Sequence, residues 1–134
     1  MKRIVFCLSI LGILSGCVTS MTREDIDGTR IYFDFDSAVI SKQSRLKLED
    51  VAFAMRRDKS INIIIDGHTD IRGAHTYNYA LGSLRAGNVA HVIMQEGVEP
   101  ERVKTKSYGK KTPAATGDTD EAHQENRNVT IWVQ

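Results

Sequence analysis

The stretch that decides the fold is Asp66-Gly67-His68-Thr69-Asp70-Ile71-Arg72-Gly73, which follows the apolar run Ile61-Asn62-Ile63-Ile64-Ile65. The β-branched run predicts a buried strand over residues 61–65, and the two glycines predict that residues 67–73 form a loop after it. Asp70 would then lie just past the end of a central strand, where ligand sites tend to form on such sheets. This segment is therefore the first candidate for a functional site.

A helix is predicted on each side of this segment. Ser41 is a suitable N-cap for a helix that ends near Arg57, and a second helix is expected from about Tyr77 to Gln95, where Gly97 stops it. Helical periodicity predicts two buried stripes. They comprise Leu46, Leu48, Val51, Ala52, Ala54 and Met55 in the first helix, and Leu81, Leu84, Val89, Val92 and Ile93 in the second.

Three more strands complete the expected domain. They cover residues 31–33 with Phe35, residues 103–108, and Asn128–Val133, and residues 110–120 read as a loop. The order β-α-β-α-β-β predicts an α+β fold of two layers, with both helices packed on a mixed sheet.

The N-terminus has the organisation of an export signal. Lys2 and Arg3 precede an apolar run over residues 4–14, which is too short to span a bilayer, since that needs about 20 apolar residues. The run ends in Leu14-Ser15-Gly16-Cys17, which resembles the lipobox of bacterial lipoproteins. Residues 1–16 are thus predicted to be a lipoprotein signal peptide, and Cys17 is expected to carry the lipid. The alternative is a plain secretory signal followed by an incidental cysteine.

Residues 17–29 are expected to be the lipidated cysteine and a short polar tether, and residues 30–134 the folded domain. The 18 basic and 17 acidic residues nearly balance, so charge gives no reason to expect nucleic acid as a partner. Both cysteines precede the domain, which leaves it without a thiol.

Neither catalysis nor metal binding is expected. The sequence has no Gly-x-Ser-x-Gly motif, and the mature domain has no cysteine nucleophile. A carboxylate pair for sugar hydrolysis, drawn from Asp36, Asp66 and Asp70, is the enzymatic alternative. Asp66, His68 and Asp70 alternate like metal ligands, but a strand that ends at Gly67 would not hold them on one side. His68 is expected to shape the loop, and His91 and His123 to lie at the surface. No cofactor is expected.

The second helix predicts a pocket beside Asp70. Asn78, Leu81 and Arg85 are spaced three and four residues apart, so they share one helix face. An acid opposite an amide and a guanidinium suits a ligand that carries both an ammonium and a carboxylate. From its spacing alone, the favoured interpretation of Arg85 is an ordinary surface residue in a salt bridge.

Several motifs occur together in a familiar order: GHTDIRG, YNYALGSLRA, SYGKKTP and ENRNV. Over residues 30–134 the chain resembles the OmpA-like peptidoglycan-binding domain family, and the lipobox and SYGKKTP bring it closest to the lipoproteins of that family. The resemblance implies noncovalent binding of the peptide stem of peptidoglycan at its diaminopimelate residue. The residues it implies for this site are Asp36, Thr69, Asp70, Asn78, Leu81, Arg85, Asn126 and Arg127.

The same resemblance implies a place in the cell envelope. Because Val18 follows the cysteine where an Asp would favour inner-membrane retention, the expected location is the outer membrane, with the domain facing the periplasm. Within the Tol system the protein partner would be the β-propeller protein TolB. The alternative is a lipoprotein of a secretion or other envelope machine that mainly binds another protein. Ile71 and Asn128 depart from the acid and the arginine common in such lipoproteins.

Overall fold

The computed structural model describes residues 20–134 and contains one mixed sheet of four strands. The predicted signal peptide, Cys17 and the first residues of the expected tether lie outside the described residues. The strands are β1 (Thr29–Tyr32), β2 (Ile63–His68), β3 (Val103–Gly109) and β4 (Asn128–Val133), in the spatial order β1-β4-β2-β3. β4 runs antiparallel to both of its neighbours, whereas β2 and β3 are parallel.

Four helices accompany the sheet: α1 (Arg23–Ile26), α2 (Lys42–Arg57), α3 (His75–Gln95) and α4 (Asp120–Asn126), with a single 3₁₀ turn at Pro100–Arg102. α2 and α3 cover one face and form the core with it, and this arrangement confirms the predicted α+β fold of two helices on a mixed sheet. No helix among residues 20–134 is both long and apolar enough to cross a membrane.

The buried helix faces differ in part from the predicted stripes. α2 begins as expected, because the Ser41 side chain accepts a hydrogen bond from the Ser44 amide at 3.1 Å. However, Leu46 and Leu84 are more than half exposed. In α3 the buried face runs through Asn78, Gly82 and Arg85 instead, so polar and small residues take much of the stripe.

Strand β2 continues through the glycine that was expected to end it. A Cβ on Gly67 would lie 2.0 Å from the carbonyl oxygen of Gly82, and one on Gly82 would lie 2.4 Å from the Ser107 hydroxyl oxygen. The two glycines therefore allow the backbone of α3 to lie directly against the sheet. The loop prediction was wrong from residue 67 to residue 68. As a consequence, Asp66 and His68 lie on the same face of the sheet, opposite the helices.

The folded part begins earlier than Arg30, so the tether prediction was wrong over its second half. Thr22 and Asp25 form a capping box at the start of α1, and Ile26 is fully buried. Arg23 donates from Nη2 to the carbonyl oxygen of Gln134 at 2.7 Å, which ties α1 to the end of β4. Ile26 and the partly buried Met21 pack on the core, and the cap and the arginine supply the remaining contacts.

The second missed helix, α4, follows the predicted loop. The Thr119 side chain caps it by accepting from the Ala122 amide at 3.2 Å. His123 was expected at the surface but is only 4% exposed, and its Nε2 lies 2.7 Å from an Asp118 carboxylate oxygen. α4 therefore packs onto the domain and positions the Asn126-Arg127 pair before β4.

Candidate functional site

A cleft of about 230 Å³ opens where β2 ends, between the β1–α2 loop and the first turns of α3. Six of the eight ligand residues implied by the family resemblance line it. The complete lining is Phe35, Asp36, Thr69, Asp70, Arg72, Gly73, Tyr77, Asn78, Leu81 and Arg85.

Arg85 is the most deeply placed charge in this cleft, with 0% of its surface exposed. Its guanidinium donates to three carbonyl oxygens, those of Ser37 at 2.7 Å, His68 at 2.9 Å and Asp34 at 3.1 Å. The side chain thus joins the β1–α2 loop to the end of β2. Its burial overturns the alternative of an ordinary surface arginine.

No carboxylate neutralises this guanidinium directly, since none of the ion pairs within residues 20–134 involves Arg85. Burial lowers the pKa of Arg85 to about 10, although the negative charges of Asp70 and Asp36 act in the opposite direction. The group remains positive at neutral pH. A guanidinium has five N–H donors, and the three carbonyl contacts leave two without a carbonyl acceptor.

Asp70 is 5% exposed and already bound by two arginines. Arg72 donates to it from its amide and from both Nε and Nη2, the last at 2.8 Å, and Arg127 Nη1 lies at 3.4 Å. Burial alone would raise the pKa of this carboxyl group, but these hydrogen bonds and the charge of Arg72 together hold it below the ordinary value. Asp70 therefore orients the arginines and has few lone pairs left for a ligand ammonium.

Asp36 is the freer acid of the cleft. It is exposed, it takes part in no ion pair in the described part of the chain, and its backbone has a φ of +51°. Aspartate tolerates this left-handed conformation better than most residues. The neighbouring Phe35 is 61% exposed, and the Arg72 guanidinium lies 4.2 Å from the centre of its ring. An acid and an aromatic ring thus line the cleft together with Arg85.

Asn78 and Thr69 hold the loop that closes the cleft. Asn78 donates from Nδ2 to the carbonyl oxygens of Arg72 at 2.7 Å and Ala74 at 3.1 Å. The Thr69 amide donates to the Gly109 carbonyl oxygen at 2.9 Å. Leu81 contributes an apolar patch to the lining of the cleft.

The last two implied residues lie outside the lining of the cleft. Arg127 is connected to it through Asp70 and also donates to the Phe33 carbonyl oxygen at 3.0 Å. Asn126 is 1% exposed and exchanges two hydrogen bonds of 2.9 Å with the backbone of Ala115. Its contacts are therefore structural, since they fasten the β3–α4 loop.

Four lining residues were missed: Phe35, Arg72, Gly73 and Tyr77. Arg72 and Gly73 lie inside the stretch that marks the site, and a cation two residues after the acid was a usable signal. Phe35 was assigned to the first strand because aromatic residues favour strands, but β1 ends at Tyr32. Tyr77 begins the YNYALGSLRA motif and directly precedes Asn78, but it was not assigned to the site.

The charges of the cleft suit a zwitterionic ligand. Arg85 offers unused donors to a carboxylate, and the start of α3, whose cap residue Ala74 makes no side-chain bond, adds a partial positive charge. Asp36 offers an acceptor to an ammonium. Residues 20–134 contain no group of three or more His, Cys, Asp or Glu side chains arranged to hold a metal ion.

The fold and the cleft together define a class of protein, a small α+β domain with a polar ligand cleft at the end of its sheet. The match to known families is specific: residues 32–127 fit the OmpA family. The chain belongs to the OmpA family.

Similar proteins are peptidoglycan-associated lipoproteins. The one from Brucella melitensis biotype 1 is 36% identical over 125 residues, which cover 90% of this chain and 74% of that protein. The one from Pseudomonas aeruginosa is 35% identical over 103 residues, or 77% of this chain and 61% of that protein.

Solved structures agree with these relatives. The peptidoglycan-associated lipoprotein from Burkholderia pseudomallei superimposes with a TM-score of 0.77 at 33% identity, covering 78% of this chain and 89% of that one. The C-terminal domain of Helicobacter pylori MotB gives a TM-score of 0.73 at 29% identity, with 79% and 84% covered.

Proposed function

We propose that this protein is an outer-membrane lipoprotein that binds the diaminopimelate-containing stem peptide of peptidoglycan and so tethers the membrane to the wall. The observation that carries the proposal is the buried Arg85 guanidinium, which lines an open cleft without a carboxylate partner in the described chain. A buried cation is stabilised most by a hydrogen-bonded anion. A ligand carboxylate in the cleft would supply that anion.

Diaminopimelate fits the remaining groups as well. Its side chain ends in a carbon that bears both an ammonium and a carboxylate. The carboxylate would take the two unused donors of Arg85, and the ammonium would pair with Asp36. Asp70 would act by holding Arg72 and Arg127 in place, a different role from the direct contact expected from its sequence position.

Sedimentation with purified peptidoglycan tests this assignment. Asp36→Asn keeps the shape of the residue and its tolerance of positive φ, and removes only the charge. We expect it to weaken binding about tenfold or more, the contribution of one charged hydrogen bond.

Asp34→Asn is the matched control, because it removes an exposed acid two residues away that does not line the cleft. Its carbonyl contact to Arg85 belongs to the backbone and is retained. Equal pelleting of the Asp36→Asn and Asp34→Asn variants would contradict the role of Asp36.

Lipidation at Cys17 is part of the same proposal. The apolar run that ends in LSGC supports it. Cys17→Ser should abolish incorporation of labelled fatty acid, and persistent labelling would contradict the anchor.

A role in the Tol system, with TolB as partner, draws support from the similarity to peptidoglycan-associated lipoproteins. Cross-linking of the protein to TolB in cells tests it.

A further inference from the structure

The sheet face opposite the helices carries a second concave surface of about 310 Å³, here called the open-face cleft. Its lining includes Arg30, Asp66, His68, Tyr108, Asn128 and Trp132. Apart from the His68 carbonyl oxygen, which accepts from Arg85, none of these residues contributes to the first cleft, here called the stem-peptide cleft after its proposed ligand.

Asp66 lies at the floor of the open-face cleft. It is 9% exposed, and its buried Oδ1 has no hydrogen-bond donor in the described chain. Burial raises the pKa of this carboxyl group, although the neighbouring His68, Lys106 and Trp132 side chains act in the opposite direction. Buried polar atoms are rarely left without a partner, so this acid calls for an explanation.

Aromatic rings flank the acid. The rings of His68 and Tyr108 are parallel, with their centres 5.4 Å apart. Trp132 is 42% exposed, so a large part of its surface is open to solvent. The cleft therefore combines flat apolar surfaces with one unpaired acceptor, Asp66 Oδ1, whereas the Asn128 amide and the Thr130 hydroxyl in its lining are buried and already hydrogen-bonded.

The charges around the open-face cleft disfavour charged ligands. A cation would meet Arg30 at the rim and the Lys106 ammonium, which lies 4.6 Å from the centre of the Tyr108 ring. An anion would meet Asp66 itself. The exposed rings and the unpaired Asp66 acceptor suit a ligand that is apolar on its ring faces and donates from a hydroxyl or an amide, which describes a pyranose sugar.

The position of the cleft connects it to the first one. The His68 carbonyl oxygen accepts from Arg85 in the stem-peptide cleft, while the His68 ring lies in the open-face cleft. We propose that the open-face cleft binds an uncharged amino-sugar ring of the glycan strand whose stem peptide occupies the first cleft. This inference rests on the proposed function, because a stem peptide bound in the first cleft would hold its sugar near the end of β2, where His68 contributes to both clefts.

Trp132 is the only tryptophan in the chain, so its fluorescence reports on this cleft alone. The full-length protein is titrated with the diaminopimelate stem peptide, with the same peptide on its disaccharide, and with an N-acetylglucosamine oligomer. We expect both sugar-bearing ligands to change the emission and the bare peptide to leave it unchanged. In calorimetry the disaccharide-peptide should bind about two- to tenfold tighter than the peptide, as one aromatic contact would contribute.

Trp132→Ala should remove this gain and keep the affinity for the bare peptide, while Trp132→Phe should retain part of the gain. Phe53→Ala is the matched control, because it removes an aromatic ring of similar exposure on α2. Equal affinities for the two peptides, or a gain that survives Trp132→Ala, would overturn the sugar site and leave the proposed function intact. Sugar binding without peptide binding would support the site and contradict the proposed stem-peptide function.

Discussion

At the scale of single residues, Arg85 has two roles: it fixes the shape of the cleft and gives it a positive charge. Its three carbonyl contacts fix the position of the loop that carries Asp36. Its two remaining N–H donors favour a ligand with a carboxylate. The helical spacing of Asn78, Leu81 and Arg85 was enough to predict that the three share a cleft. It could not predict that Asp70 is occupied by Arg72 and Arg127, because those contacts depend on where the loop and α4 fold.

The Asp70 ion pairs predict a specific pH dependence. The pKa of this carboxyl group is lower in the folded protein than its ordinary value of about 3.9, so the unfolded state binds more protons in acid. The stabilisation is fully present above about pH 4 and is lost as the pH falls through the lowered folded pKa. Asp70→Asn should therefore be less stable than the wild type near neutral pH, and the two proteins should approach each other in acid.

Urea unfolding at about pH 6 and about pH 3 measures this difference in the free energy of unfolding. Asp34→Asn serves as control, since that acid takes part in no ion pair within residues 20–134. The same difference in the free energy of unfolding between Asp70→Asn and the wild type at both pH values would contradict a lowered pKa of Asp70.

Asn126 yields a prediction that separates structure from binding. Asn126→Ala leaves the Ala115 amide and carbonyl without their partners, which should cost about 1–3 kcal/mol of stability. Affinity for the stem peptide should change little, because Asn126 does not line the cleft. Calorimetry on the folded variant checks this. A folded Asn126→Ala variant that no longer binds the stem peptide would show that Asn126 contacts the ligand.

At the scale of elements, periodicity and capping located α2, α3, β3 and β4 to within two residues, because each has a regular pattern or a clear end signal. The errors have physical causes. Gly67 was interpreted as a strand end, although it serves the close approach of α3. α1 and α4 are too short for periodicity to reveal, and their stability comes from caps and tertiary contacts.

The glycine contact between β2 and α3 predicts opposite effects at two glycines. Gly67→Ala forces a methyl group into the Gly82 backbone and should destabilise the fold by about 2 kcal/mol or more. Gly87 in α3 is the matched control, because a Cβ at this position has no neighbouring atom within 4 Å. Gly87→Ala should therefore stabilise the fold by up to about 1 kcal/mol. Urea denaturation compares the two, and similar small effects would contradict the close packing of α3 on β2.

At the scale of the whole molecule, the chain enters at the end opposite the stem-peptide cleft. α1 is tied to the end of β4, whereas the cleft lies beside the start of β4 and the end of β2. The six residues of β4 place these ends about 20 Å apart. A lipid anchor on Cys17 would therefore leave the cleft facing away from the membrane and toward the wall.

The early start of the fold shortens the reach of such an anchor. Only residues 18–21 separate Cys17 from the Thr22 cap, and they span at most about 14 Å. Inserting about 30 flexible residues after Val18 adds an average reach of about 30 Å. We expect this insertion to raise the fraction of protein cross-linked to the wall in cells and to leave sedimentation with purified wall unchanged. Equal cross-linking of the native and lengthened proteins would remove the tether as a limit.

The central claim is that Arg85 recognises the side-chain carboxylate of diaminopimelate. The most direct measurement is calorimetric titration with two stem peptides that differ only in carrying diaminopimelate or lysine, since lysine keeps the ammonium and lacks that carboxylate. Because the loss of one partner of a buried ion pair costs about 2–5 kcal/mol, the lysine peptide should bind at least about 30-fold more weakly. Equal affinity for the two peptides would contradict the account.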